Sequence, residues 1–126
     1  MDMMKQATAK IGDDRDETAR DEMGQDALPA EACRTMADVR REIDRIDALL
    51  VALMAERQTF IEAAGRIKQE RGTVRDEARI AEVIAHVRAL AEARGLNPDI
   101  AEPVWRALIE ASIAHEYDVF DKLKED

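Results

Sequence analysis

An all-α fold is what this sequence predicts, on three observations. Aromatics make up only 3% of its 126 residues, while Ala, Leu, Ile, Val, Glu and Arg dominate, a composition that favours helix over sheet. Five Gly and three Pro are too few to punctuate a many-stranded domain. A stripe of apolar residues at spacings of three and four, interrupted at a single position, then runs from Val39 to Ile67, the signature of one face of a long helix. A chain of this length is expected to be one domain.

Residues 1–32 differ from the remainder. Nine Asp or Glu stand there against four Lys or Arg, with Gly12, Gly24 and Pro29 and almost no large apolar side chain. Such a segment cannot bury enough surface to offset its ordering entropy, so it reads as a disordered acidic tail, and the folded domain as 33–126.

The first helix is expected from Thr35, with Thr35 as N-cap and Asp38 at N3 in a capping-box arrangement. It reads through to about Arg71 and stops at Gly72, roughly 35 residues or about 53 Å. A helix this long cannot be covered by its own chain, so its stripe needs a partner. The loop Gly72-Thr73-Val74-Arg75 leads to a second helix from about Asp76 to Arg94, closed by Gly95. Its core face reads Ile80, Val83, Ile84, Val87 and Leu90. The third starts at Asn97 as N-cap with Pro98 at N1 and runs to about Leu123. Along one of its faces lie Val104, Trp105, Leu108, Ser112, Glu116, Val119 and Leu123.

Net charge and cysteine usage exclude several function classes. At −9 the chain is a poor partner for nucleic acid, whose phosphates need clustered positive charge. A local pair of cations can still outweigh that global field inside a pocket. The single Cys33 leaves no internal disulfide and no metal-ligand spacing around it, which fits a reducing compartment. No stretch approaches 18 apolar residues and the N-terminus lacks the apolar core of a signal peptide, so a cytoplasmic protein away from the membrane is expected.

Arg57 is the residue that points to chemistry. The first helix's stripe reads Val39, Ile43, Ile46, Leu50, Leu53, Arg57, Phe60, Ala64, Ile67, so a guanidinium sits where an apolar side chain belongs. A buried charge without a partner costs several kcal/mol, about 3–5 when one member of a pair is removed. Lys68, eleven residues on, points roughly the same way about 16 Å along the axis. Two cations on an apolar face suggest a pocket for an anion. Ser112 and Glu116 interrupt the third helix in the same manner. Arg40 lies seventeen residues before Arg57, rotated by roughly 100° from that face, and so is placed to reach the pocket of a symmetry mate. Taken singly, Arg75 and Arg79 read as surface residues, His86 as exposed and His115 as a rim residue.

The segment VRREIDRIDALLVALMAERQTFIEAAGRIKQERGTVRDEARI resembles the first helix, loop and second-helix start of the all-helical chorismate mutases. The Arg-(x)16-Arg-(x)10-Lys spacing, the VRD loop and the later Arg and Ser carry the likeness, which covers about residues 36–123. The resemblance implies an intertwined homodimer of three-helix chains that rearranges chorismate to prephenate in phenylalanine and tyrosine biosynthesis, without cofactor or metal. It also assigns Arg57, Lys68, Asp76, Arg79, Ser112 and Glu116 to one substrate site, completed by Arg40 of the partner chain. Lys68, Glu116 and Arg57 carry the catalytic roles in that assignment. Arg40 and Arg57 suit the substrate's two carboxylates as planar donors, Lys68 the ether oxygen and Asp76 the ring hydroxyl.

Two departures bear on the reaction. Glu116 stands where the family often has Gln; ionised, it would repel charge developing on the ether oxygen, so it should act protonated or be held by Lys68. Ile80 stands where a Glu is frequent. The isochorismate pyruvate lyases share this fold, and their start resembles the stretch from Cys33 through Ile43-Asp44-Arg45-Ile46-Asp47; the Lys68-to-Arg79 spacing is also one residue shorter than in typical mutases. Asp76 favours the mutase, with the lyase as the alternative and a non-catalytic helical dimerisation module as a third reading.

Overall fold

Thr35 and Asp38 form the reciprocal cap that starts the first long helix. The Asp38 amide donates to Thr35 Oγ1 at 3.1 Å, and the Thr35 amide donates back to Asp38 Oδ2 at 3.2 Å. The Arg34 amide donates to the same Oδ2 at 2.9 Å and, as the leading cause, holds the Asp38 carboxyl below its ordinary value. The computed structural model describes residues 27–125. Among them lie a 3-10 turn at Ala30–Ala32 and α1 (Met36–Ile67), then a 3-10 turn at Arg71–Thr73, α2 (Glu77–Arg94) and α3 (Pro98–Glu125). No strand occurs among the described residues, which are all-helical in their regular structure.

The tail expected over residues 1–32 lies outside the described residues as far as position 26; residues 27–32 are described and hold the Ala30–Ala32 turn. The chain divides into two units with the boundary inside α1, one ending at Ala55 and the other beginning at Glu56. In the first unit Glu42 is buried and pairs with Arg45 at 2.9 Å, an interaction that lowers its pKa. Ile43, Ile46, Leu50 and Leu53 of the apolar stripe are nonetheless exposed, at 45–62% of their surface.

The second unit holds the end of α1, the loop, α2 and α3. α2 starts on Asp76, whose Oδ1 accepts from the Arg79 amide at 3.1 Å. It ends on Gly95 in the left-handed region (φ 80), with the Gly95 amide donating to Ala91 and Glu92 and the Leu96 amide to Ala91 O at 2.8 Å. Glycine pays no Cβ penalty there, and the doubled contacts satisfy carbonyls that a helix end otherwise leaves open. Asn97 then caps α3 through Oδ1, which accepts from the Asp99 amide at 2.9 Å. The tight link folds α2 and α3 into a helical hairpin whose core is Val87, Ala91 and Ala101, with Val83 and Trp105 packed on it.

Three expectations need correction. α1 ends at Ile67, four residues before Arg71, and Gly72 sits in a 3-10 turn without a positive φ. The chain leaves the helix there because tertiary contacts win over the local helical propensity of Lys68–Arg71: Val74 buries to 3% exposure and Arg71 reaches Asp121 on α3. On α2, Ala91 takes the buried place expected for Leu90, which is 47% exposed. On α3, Ala101, Ile109, Glu116 and Phe120 are buried while Val104 and Leu123 are exposed. The inward face is offset by one position at several turns, because 3.6 residues per turn lets it drift between i+3 and i+4 steps.

Candidate functional site

The apolar wall of a cavity in the second unit comes from all three helices: Ile61 and Ala64 of α1, Ile80 and Val83 of α2, Ile109 and Ile113 of α3. The space is about 690 Å³, ample for a small organic molecule. Into this wall project Arg57, Lys68, Asp76, Arg79, Ser112 and Glu116, so six of the seven site residues expected from sequence line one pocket. Arg40 is not among them; it lies in the first unit on α1, where its side chain is exposed.

Arg57 is half-buried and its Nη1 donates to Ser112 Oγ at 2.9 Å. Among the described residues no carboxylate pairs with it. A neutral hydroxyl orients a guanidinium but leaves its charge unmatched, and a partly desolvated unmatched cation favours an anionic ligand. The bond also fixes the guanidinium plane, so its other N–H groups present a planar fork.

Lys68 behaves differently. Its Nζ lies 2.7 Å from Glu116 Oε2 and 3.4 Å from the Val74 carbonyl. Glu116 is buried at 4% exposure, and no well-aligned hydrogen bond reaches Oε2 among the described residues. The ammonium thus approaches as a charge beside the oxygen rather than along a hydrogen-bond direction. A ligand donor can still complete the hydrogen bonding of that oxygen. Lys68 and Glu116 can meet because Gly65 lets α1 approach α3: a Cβ at Gly65 would stand 3.2 Å from the Glu116 carbonyl oxygen and 3.2 Å from Val119 Cγ1.

Arg79 is already matched, its Nη1 donating to Glu82 at 2.6 Å in an exposed pair on α2. Glu82, which also lines the pocket, was not singled out from the sequence; its place three residues after Arg79 was the available signal. Arg75 is no free surface residue either, since it binds Glu110 and Glu77. His86 is exposed, while His115 Nε2 contacts Glu62 Oε2 at 2.7 Å and bridges α3 to α1. That contact, above all, lowers the Glu62 pKa. No group of three or more metal-ligating side chains occurs among the described residues, and no described helix is long and apolar enough to cross a membrane.

The pocket therefore combines one unmatched guanidinium, one ammonium-carboxyl pair with spare donors, and an acidic helix cap on apolar walls. Comparison with known proteins points the same way. The family model described as "Chorismate mutase type II" matches residues 39–117. An isochorismate pyruvate lyase of Pseudomonas aeruginosa is 30% identical over 86 residues, covering 68% of this chain and 85% of the lyase. The T-protein of Enterobacter agglomerans is 33% identical over 81 residues, and that of Haemophilus influenzae 34% over 83. Each T-protein alignment covers 64% of this chain, but the chain spans only 22% of either T-protein's length.

Proposed function

The chain belongs to the type II chorismate mutase family, and on that footing we propose that it rearranges chorismate to prephenate, a step toward phenylalanine and tyrosine. The observation that carries this reading is Arg57: a half-buried guanidinium held by a neutral hydroxyl in a pocket whose other cations, Lys68 and Arg79, each sit against a carboxylate. Chorismate is a dianion with a flexible enolpyruvyl arm. Arg57 takes one carboxylate in its fork, with Ser112 beside it, and so holds the arm over the ring in the compact reactive conformer. As the ether C–O bond breaks, negative charge grows on its oxygen and Lys68 donates to it from a fixed place. Glu116, paired with Lys68, keeps the ammonium in that place. Asp76, with Oδ1 committed to the cap of α2, offers its other oxygen to the ring hydroxyl, and Arg79 lines the same pocket paired with Glu82.

The second carboxylate needs another cation, and we assign it to Arg40 of a second copy. The exposed stripe on α1 supports a homodimer: apolar side chains at strict three-four spacing, including Phe60 at 68% exposure, form a patch of the sort that marks a protein interface. Site sharing has a direct test. Arg40→Ala and Arg57→Ala are each expected to be inactive alone, whereas mixed and re-equilibrated they should recover about a quarter of wild-type activity. Half of random dimers are mixed and one of the two sites in each is then intact. No recovery in a mixture shown to exchange subunits would contradict the sharing.

The likeness to the Pseudomonas lyase and the Lys68-to-Arg79 spacing favour a second reading, elimination of pyruvate from isochorismate by the same pocket. Asp76, placed for a ring hydroxyl, supports the mutase as the first.

A further inference from the structure

The loop between α1 and α2 delivers two pocket groups, the Val74 carbonyl that accepts from Lys68 and the Asp76 carboxylate. Neither sits on a regular element: Val74 closes a 3-10 turn of three residues and Asp76 is an extended N-cap. Loops of this kind open readily unless tied down. Here the ties are two arginines that flank Val74 and turn away from the pocket. Arg75 grips Glu110 of α3 in a parallel fork, Nη1 to Oε1 at 2.9 Å and Nη2 to Oε2 at 2.9 Å, while its Nε donates to Glu77 at 2.6 Å. Arg71 grips Asp121, Nε to Oδ1 at 2.9 Å and Nη2 to Oδ2 at 3.3 Å, and lies over the Tyr117 ring at 4.4 Å.

Their anchors on α3 are eleven residues apart, about three turns, and Glu116 falls between them. The loop is thus strapped across the stretch of α3 that carries Ser112 and Glu116. An exposed ion pair adds little to stability, so these forks have small value as staples of the fold. Bidentate geometry fixes direction as well as distance, which is what a loop carrying site groups requires. Each partner responds to the other: the Arg75 fork lowers the Glu110 pKa, and Asp121 is lowered by Arg71.

We propose that Arg75, through Glu110, and Arg71, through Asp121, are positioning residues that hold the Val74–Asp76 segment closed against α3 and so set Lys68 and Asp76 for the substrate. This rests on the reading of the pocket as a chorismate site. The test uses the full chain with Arg75→Ala, Glu110→Ala, the double alanine variant and the charge exchange Arg75→Glu/Glu110→Arg. Chorismate kinetics are measured well below each variant's Tm, with amide hydrogen exchange over residues 70–76. Each single variant should lose kcat/KM by up to about 100-fold, the scale of a 1 Å misplacement, with helix content unchanged. The double alanine variant should lose no more than Arg75→Ala alone, and the charge exchange should regain part of the loss, the rest belonging to the contact with Glu77. Additive losses, or kinetics unchanged in the singles, would overturn the proposal. Should the wild type turn over neither chorismate nor isochorismate, the functional reading fails, and the strap is decided by exchange alone. The Thr73 and Val74 amides, which donate to Glu70 and Arg71, must then exchange faster in Arg75→Ala; equal rates would overturn the strap.

Discussion

Lys68→Ala is expected to lower kcat/KM for chorismate by roughly 10²- to 10³-fold, the usual loss when one preorganised donor to a developing oxyanion is removed. Lys68 is the group that can follow charge onto the ether oxygen, because its ammonium has three donors and the 2.7 Å approach to Glu116 together with the 3.4 Å contact to Val74 leaves capacity for a ligand. The substitution also strips the buried Glu116 of its cationic neighbour. Lys68→Met, which keeps most of the stem, should lose as much activity, separating charge from packing. Glu116→Gln refines the same point. It keeps the size of the side chain and puts a neutral donor in place of the carboxylate, so Glu116→Gln should retain activity where Lys68→Ala does not. Steady-state rates for the wild type and the three variants check both expectations. A Lys68→Ala enzyme within a few-fold of wild type, or a Glu116→Gln enzyme as impaired as Lys68→Ala, would contradict these roles.

Gly65 should carry the largest effect outside the ligand contacts. Alanine is favoured over glycine inside a helix by about 1 kcal/mol, so helix propensity alone predicts a gain from Gly65→Ala. Contact geometry predicts the opposite. The new Cβ would meet the Glu116 carbonyl oxygen at 3.2 Å and Val119 Cβ at 3.3 Å, and a helix backbone cannot swing aside as a flexible side chain can. For alanine the two effects nearly offset. For Gly65→Val, with two further methyls and a poorer helix former, overpacking should dominate at about 1–3 kcal/mol of lost stability. Both variants push α1 from α3 at the level of Lys68 and Glu116, so both should lose kcat/KM, valine more. Denaturant melts and kinetics on the pair check this; a valine variant as stable and active as wild type would show that the close approach is not what sets the Lys68–Glu116 distance.

Helix starts were legible in the sequence because they are written locally. Thr35 with Asp38 and Asn97 with Pro98 cap the helices they appear to cap, and the second helix starts within one residue of the expected Asp76, which is its cap. Most of the pocket was legible too, since Arg57 breaks an apolar stripe and Ser112 and Glu116 break another. The end of α1 was not, because Lys68–Arg71 has good helix-forming residues and only the side chains they meet on α3, Glu116 and Asp121, pull them out of the helix. Long-range pairing hid the rest. Nothing near Arg75 in sequence reveals Glu110, 35 residues away, and nothing near Gly65 reveals that a helix lies against it. The exposed stripe on α1 shows the reverse case: periodicity identified an apolar face correctly, but the face is not the core of its own chain.

The claim that matters most is that this pocket rearranges chorismate, and one paired assay addresses it. Purified protein is incubated with chorismate and, separately, with isochorismate, and prephenate and pyruvate are followed in each. Prephenate from chorismate, lost in Arg57→Ala, is the predicted result. Pyruvate from isochorismate with no prephenate from chorismate would contradict it.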